Sequence, residues 1–203
     1  MINESSPNPD SPPERRRVIV VHGAFGSPEI NWFPWLRTEL GDEYDVVTPR
    51  FPTPENQNLT SWLAVFDEQV APLRASDILV GHSIGAGFLV RVLERRAPTD
   101  GPHVVATALV CGFMTLLDDP DVDPINATIV EGPCDWATAR ARGGVIRAWH
   151  GTDDPYVPEA ANRDLADQLL ADFVVLRGAQ HINGEAGITE FPELAAFIRG
   201  LDG

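Results

Sequence analysis

The chain reads as an α/β fold: a mostly parallel sheet of about six strands, with helices on both faces, in one compact domain. Three observations predict it. Strand and helix signals alternate along the sequence, the pattern of units that wind a parallel sheet. Several strand candidates are near-continuous β-branched and aliphatic runs, as strands covered on both faces require. One of them, Ile78-Leu79-Val80, breaks through Gly81-His82-Ser83-Ile84-Gly85 directly into a helical pattern, giving a strand, a Gly-x-Ser-x-Gly turn and a helix in succession.

Residues 1–16, with Pro7, Pro9, Pro12 and Pro13 among Ser, Asn, Asp and Glu, lack an amphipathic pattern and are expected to be a disordered tail. The domain is expected over 17–203. Strands are predicted at 17–21, 44–48, 77–81, 104–110, 145–150 and 173–177. Helices are predicted at 32–40, 59–72, 84–96, 159–171 and 190–201. In the helix after the serine, Ile84, Phe88 and Val92 recur at i, i+4, so one face can pack on the sheet. The interval 111–144 is too short for a full helical cap, with room for a small flap, and solvated loop is expected for its acidic run. Its run Asp118-Asp119-Pro120-Asp121-Val122-Asp123-Pro124 departs from a calcium loop: Pro124 stands where the loop glycine belongs and Val130 where the bidentate glutamate belongs, so no metal is expected.

At 203 residues and 43% hydrophobic content the chain can bury one core. Its net charge of -15, from 30 acidic and 15 basic residues, argues against nucleic acid or an anionic membrane as partner. All the basic residues are arginine, which we read as codon bias in a GC-rich genome. Cys111 and Cys134 form neither a disulfide framework nor a zinc motif. Arg15-Arg16-Arg17 followed by Val18 to Val21 fails as an export signal, because the apolar run stops at His22, and no run reaches membrane-spanning length. A cytoplasmic location is expected.

The turn at Ser83 has the form of a nucleophile elbow, whose glycines remove side chains that would clash in the tight turn. A serine hydroxyl needs a base to take its proton as it attacks. Of the five histidines, His22 and His82 lie in the turns, His103 precedes a strand and His150 ends one; only His181 follows the last predicted strand, as the chain order Ser, acid, His requires. The acid belongs after the preceding strand, where Asp153 and Asp154 are adjacent. Asp154 sits three after Gly151 and three before Val157 and is the preferred partner; Asp153 is the alternative. Its role is to orient the imidazole and stabilise the imidazolium. For the oxyanion, the loop His22-Gly23-Ala24-Phe25-Gly26 after the first strand offers the Ala24 N–H, with Phe25 as fallback, and Ile84 offers a second donor. Phe25, Trp32, Phe113, Tyr156 and Ile182 are expected near the crevice and are candidate pocket residues.

Together with Asn31-Trp32-Phe33-Pro34-Trp35-Leu36, Pro49-Arg50-Phe51-Pro52, Gly81-His82-Ser83-Ile84-Gly85-Ala86, Asp153-Asp154-Pro155 and His181-Ile182-Asn183, the His22 loop resembles the YdeN-type small serine hydrolases, a family with retinoblastoma-binding-protein-like members. The resemblance spans about residues 18–197. It implies a compact α/β-hydrolase fold and a Ser-Asp-His triad on Ser83, Asp154 and His181. Gln180 departs from it, since glycine is expected before the histidine. A retinoblastoma-type partner needs Leu-x-Cys-x-Glu; the nearest run, Leu109-Val110-Cys111-Gly112-Phe113, ends in phenylalanine, so none is expected. The reaction expected is cofactor-independent hydrolysis of a small acyl ester, as by a carboxylesterase, through a seryl acyl-enzyme. The rival readings are an aminopeptidase or amidase of the same type and a non-enzymatic ligand-binding protein on the same fold.

Overall fold

The structure, a computed structural model, describes residues 15–95 and 104–202. Of the expected tail, residues 1–14 lie outside it, and Arg16 already pairs with Tyr44 in the sheet. Six strands, β1 (Arg16–Val21), β2 (Tyr44–Val47), β3 (Ile78–His82), β4 (Ala106–Val110), β5 (Val145–Gly151) and β6 (Asp172–Leu176), form one sheet in the order β2-β1-β3-β4-β5-β6. Every pairing is parallel. The helices are α1 (Phe33–Leu40), α2 (Leu59–Gln69), α3 (Ile84–Glu94), α4 (Asp123–Val130), α5 (Trp136–Arg142), α6 (Glu159–Leu169) and α7 (Pro192–Arg199).

Alternation of side chains along each strand builds two cores. Val18, Val20, Ile78, Val80, Ala108 and Val110 pack under α1 and α7, whereas Ile19, Val21, Leu79 and Leu109 pack under α2 to α6. β3 and β4 are buried at every residue, which accounts for their largely apolar sequences. At the opposite end from the site, the buried Asp77 holds Arg17 in a two-pronged ion pair, Nε to Oδ1 at 2.9 Å and Nη2 to Oδ2 at 2.6 Å. The guanidinium also donates to the carbonyls of Val70 and Pro72. Every polar atom that this pair brings into the interior therefore meets a partner, as burial of charge demands.

The interval 111–144 begins as expected for its acidic run, with exposed loop at Asp118, Asp119 and Asp121, but it is not loop throughout. It carries α4 and α5, both closed over α3. The buried Arg91 of α3 ties them down by donating to the carbonyls of Ile129, Glu131 and Pro133 at 2.6–3.0 Å. Asp135 caps α5 by accepting from the Thr138 N–H. In the acidic run, Asp123 opens α4 and accepts from the backbone N–H groups of Leu117 and Asp119, so its carboxylate is spent on the turn. Other differences are at element ends. Helix α2 stops at Gln69, before Pro72, and Pro192 starts α7 two residues later than predicted.

Candidate active site

Ser83 stands between the end of β3 and the start of α3 at φ 58° and ψ -131°, a conformation that L-residues rarely adopt and that costs on the order of 1–3 kcal/mol. The packing around it explains how that strain is held. A methyl at Gly81 would lie 2.6 Å from Ala86 Cα, and one at Gly85 would lie 2.5 Å from the Val21 carbonyl oxygen, so α3 approaches β1 and β3 only because these positions are bare. The Ser83 N–H is anchored to the Val110 carbonyl at 2.8 Å. Its hydroxyl faces a cavity of about 370 Å³ at the carboxyl ends of the strands, the place where parallel sheets put ligands.

His181 lines the same cavity. Its Nδ1–H donates to Asp154 Oδ2 at 2.8 Å, which leaves Nε2 as the nitrogen with a free lone pair. Asp154 is fixed in turn: Oδ1 accepts from the N–H groups of Tyr156 and Val157 at 2.9 and 3.1 Å, and its side chain is fully buried. Burial pushes its pKa up, but the bonds to His181 and to the two backbone N–H groups outweigh this and hold the carboxyl below its ordinary range. Asp153 points elsewhere, its carboxylate 3.4 Å from Thr152 Oγ1.

The loop carrying His181 is pinned from below. His82 Nε2–H donates to the His181 carbonyl at 3.0 Å and Trp32 Nε1–H to the Ile182 carbonyl at 2.9 Å. Burial and the neighbouring His181 push the His82 pKa down to about 3, so it is neutral at working pH. Gln180 and Ile182 both take positive φ, 47° and 46°. The first value explains why glycine is the expected residue before the histidine; here glutamine bears the left-handed conformation, its N–H donating to the Thr152 carbonyl at 3.1 Å.

His22 sets the other wall. Its Nε2 accepts from the Phe51 N–H at 3.0 Å, so Nδ1 carries the proton and donates to the Gly23 carbonyl at 2.8 Å. The Gly26 N–H reaches the same oxygen at 3.1 Å. Across a trans peptide the carbonyl and the next N–H point in opposite directions, so the Ala24 N–H faces away from these donors. Gly23 itself lies against the serine: a methyl there would be 3.2 Å from Ser83 Oγ. Neither the Ala24 nor the Ile84 N–H has a hydrogen-bond partner among the described residues. The fallback donor is corrected, because the Phe25 N–H is engaged by Thr53 Oγ1 at 2.7 Å.

Of the five candidate pocket residues, Phe25, Phe113 and Tyr156 line the cavity. Trp32 and Ile182 do not: both are fully buried in the core beneath the His181 loop, where their role is the bond just described. Tyr156 stands edge-on to the His181 ring, 5.1 Å between centroids, and donates to Glu185 Oε2 at 2.5 Å. Sequence reasoning missed Asn31, Asn126, Asn183 and Glu185 in the lining. They sit in loops and on α4, with no spacing that ties them to Ser83.

Among the described residues, Cys111, His150 and Asp154 bring potential metal-ligand atoms within 4.8 Å of one another. The set fits a metal poorly. Both Asp154 oxygens already accept N–H groups, and burial pushes the Cys111 thiol well up, away from the thiolate that a metal takes.

The fold and this cavity define a serine hydrolase of the α/β-hydrolase class. The chain belongs to the serine hydrolase family, whose model matches residues 18–199. It is similar to YdeN of Bacillus subtilis strain 168, 27% identical over 184 residues that cover 87% of this chain and 91% of the relative. It is also similar to the serine hydrolase RBBP9 of Rattus norvegicus, 24% identical over 189 residues that cover 91% and 95%. The crystal structure of the B. subtilis ydeN gene product superposes with a TM-score of 0.83 at 24% identity, covering 92% of this chain and 98% of that one.

Proposed function

We propose that the protein hydrolyses small carboxylic esters through a seryl acyl-enzyme, with Ser83 as nucleophile, His181 as general base and acid, and Asp154 as the orienting carboxylate. The observation that carries the reading is the strained elbow of Ser83 opening on the same cavity as a histidine whose Nδ1–H is bonded, at 2.8 Å, to a buried carboxylate. In the first half-reaction Ser83 Oγ attacks the carbonyl carbon while His181 Nε2 takes the hydroxyl proton. The negative charge moves to the carbonyl oxygen, which the Ala24 and Ile84 N–H groups receive. The intermediate collapses, His181 returns the proton to the departing alcohol, and an acyl ester remains on Ser83. Water, deprotonated by His181, then repeats the sequence and releases the carboxylic acid. Asp154 keeps the Nδ1 proton in place throughout.

The partner is a small acyl substrate, and no cofactor enters the scheme. No helix among the described residues is long and apolar enough to cross a membrane. Free Cys111 and Cys134 suit a reducing cytoplasm. The test combines a fluorophosphonate probe with p-nitrophenyl esters of increasing chain length. Covalent label on Ser83, and loss of both label and turnover in Ser83→Ala, are expected. A wild-type protein without label would favour a ligand-binding role, and equal rates on aminoacyl arylamides and short esters would favour an amidase.

A further inference from the structure

One wall of the cavity is apolar, formed by Phe113, Leu117, Val122 and Val157, yet Asn126 of α4 opens into it. Asn126 is 2% exposed. Its Oδ1 accepts from Gln57 Nε2 at 2.7 Å, while Nδ2 has no protein partner among the described residues. A chain of hydrogen bonds fixes which end of the amide faces the cavity. The Phe25 N–H can only donate, and it donates to Thr53 Oγ1 at 2.7 Å. The Thr53 hydroxyl in turn donates to Gln57 Oε1, 2.5 Å away. Gln57, itself 94% buried by its 6% exposure, is thereby left with its amino group toward Asn126, and Asn126 must present its oxygen to it. What remains for the cavity is the Asn126 NH₂, a donor whose polarity is dictated from the loop next to Ala24.

We propose that Asn126 Nδ2 is a substrate-recognition donor, and that the preferred ester carries a second hydrogen-bond acceptor, a ketone or ether oxygen, which docks on it. The inference rests on Ser83 being the nucleophile that the ligand is held against. An alkyl chain laid over this donor would strip its solvation without replacing it, whereas an acceptor of similar size satisfies it, and sites that hydrogen-bond a substrate discriminate most strongly against analogues lacking the group. At about 30 Å³ per water-sized group, the cavity takes on the order of a dozen non-hydrogen atoms, enough for an acyl chain with one such oxygen.

The experiment compares kcat/KM for p-nitrophenyl alkanoates with their 4-, 5- and 6-oxo counterparts, and for butanoates of alkanols with those of the matching keto-alcohols. At least one oxo ester is expected to exceed its alkyl partner about tenfold. Asn126→Leu should erase that preference, as should Asn126→Asp, which keeps the bond from Gln57 but removes the donor. Thr53→Val, which frees both amides to turn, should shift preference towards hydroxy esters. Thermal melts report that each variant folds. Independently of turnover, 2-octanone added to ¹⁵N-labelled protein should shift the Asn126 side-chain NH₂ resonance. Equal rates within every pair, or a preference that survives in both Asn126 variants, would overturn the proposal. A protein that fails to label at Ser83 counts against the hydrolase reading instead, and an unmoved Asn126 resonance then counts against the recognition donor separately.

Discussion

Asp153 and Asp154 are identical side chains with opposite surroundings. Asp154 is enclosed and accepts three N–H groups, one of them from His181; Asp153 is exposed. Asp154→Asn keeps the shape but offers an amide to His181 Nδ1, favouring the wrong tautomer, and should lower kcat by on the order of 10⁴. Asp153→Asn should change kcat little. Steady-state kinetics on a p-nitrophenyl ester check both, and the reverse ranking would move the acid to Asp153. The spacing from Gly151 and Val157 that prefers Asp154 picks the carboxylate 2.8 Å from His181, because that spacing encodes how far the chain turns after a strand. Gln180 stands out in the sequence for a reason visible in its φ of 47°. The Thr53–Gln57–Asn126 chain has no such signature. Gln57 and Asn126 lie 69 residues apart, and amide and hydroxyl groups are common enough that only a structure can align them.

Strands were the most legible elements, since burial on both faces leaves long apolar runs, and each predicted strand differs from the observed one by at most two residues at either end. Helices α4 and α5 were hidden because Pro124 sits in the first turn of α4 and Gly132-Pro133 separates the pair, so punctuation obscures two short periodic segments. Element-level stability is most exposed at the start of β3. Asp77→Ala would leave the buried Arg17 guanidinium beside β1 with only the carbonyls of Val70 and Pro72. It should cost about 3–5 kcal/mol, whereas replacing both partners by leucine should cost less, since no uncompensated charge is then buried. Urea unfolding of the two variants decides; equal losses would mean that packing, not charge, dominates.

Over the whole molecule, burial shapes the response to acid. His82 is pushed down to about 3, and burial also lowers His22 and His150. In the unfolded chain these histidines take up protons near pH 6.5, while the native protein resists. The unfolded state therefore binds more protons below pH 6.5, and stability is full above that value and falls as pH drops. For His82 the window runs from 6.5 down to about 3, at about 1.4 kcal/mol per pH unit once well inside it. Relief of repulsion in a chain of net charge -15 acts in the opposite direction, but exposed charges are screened within about 8 Å at 0.15 M salt. Unfolding free energies measured from pH 7.5 to 4.5 at that salt should decline, and the slope should be shallower in His82→Gln. A rise on acidification would reverse the ranking of the two effects.

The strand order gives the three proposed catalytic groups unequal support. Ser83 follows β3, which is flanked on both sides, and Asp154 follows β5, flanked likewise; His181 follows β6, which has a neighbour on one side only. Edges of a sheet open at lower free energy than its centre. The proposed base is thus mounted at one of the sheet's two borders, and a brief fraying of that border would withdraw it from the serine while most of the molecule stayed intact.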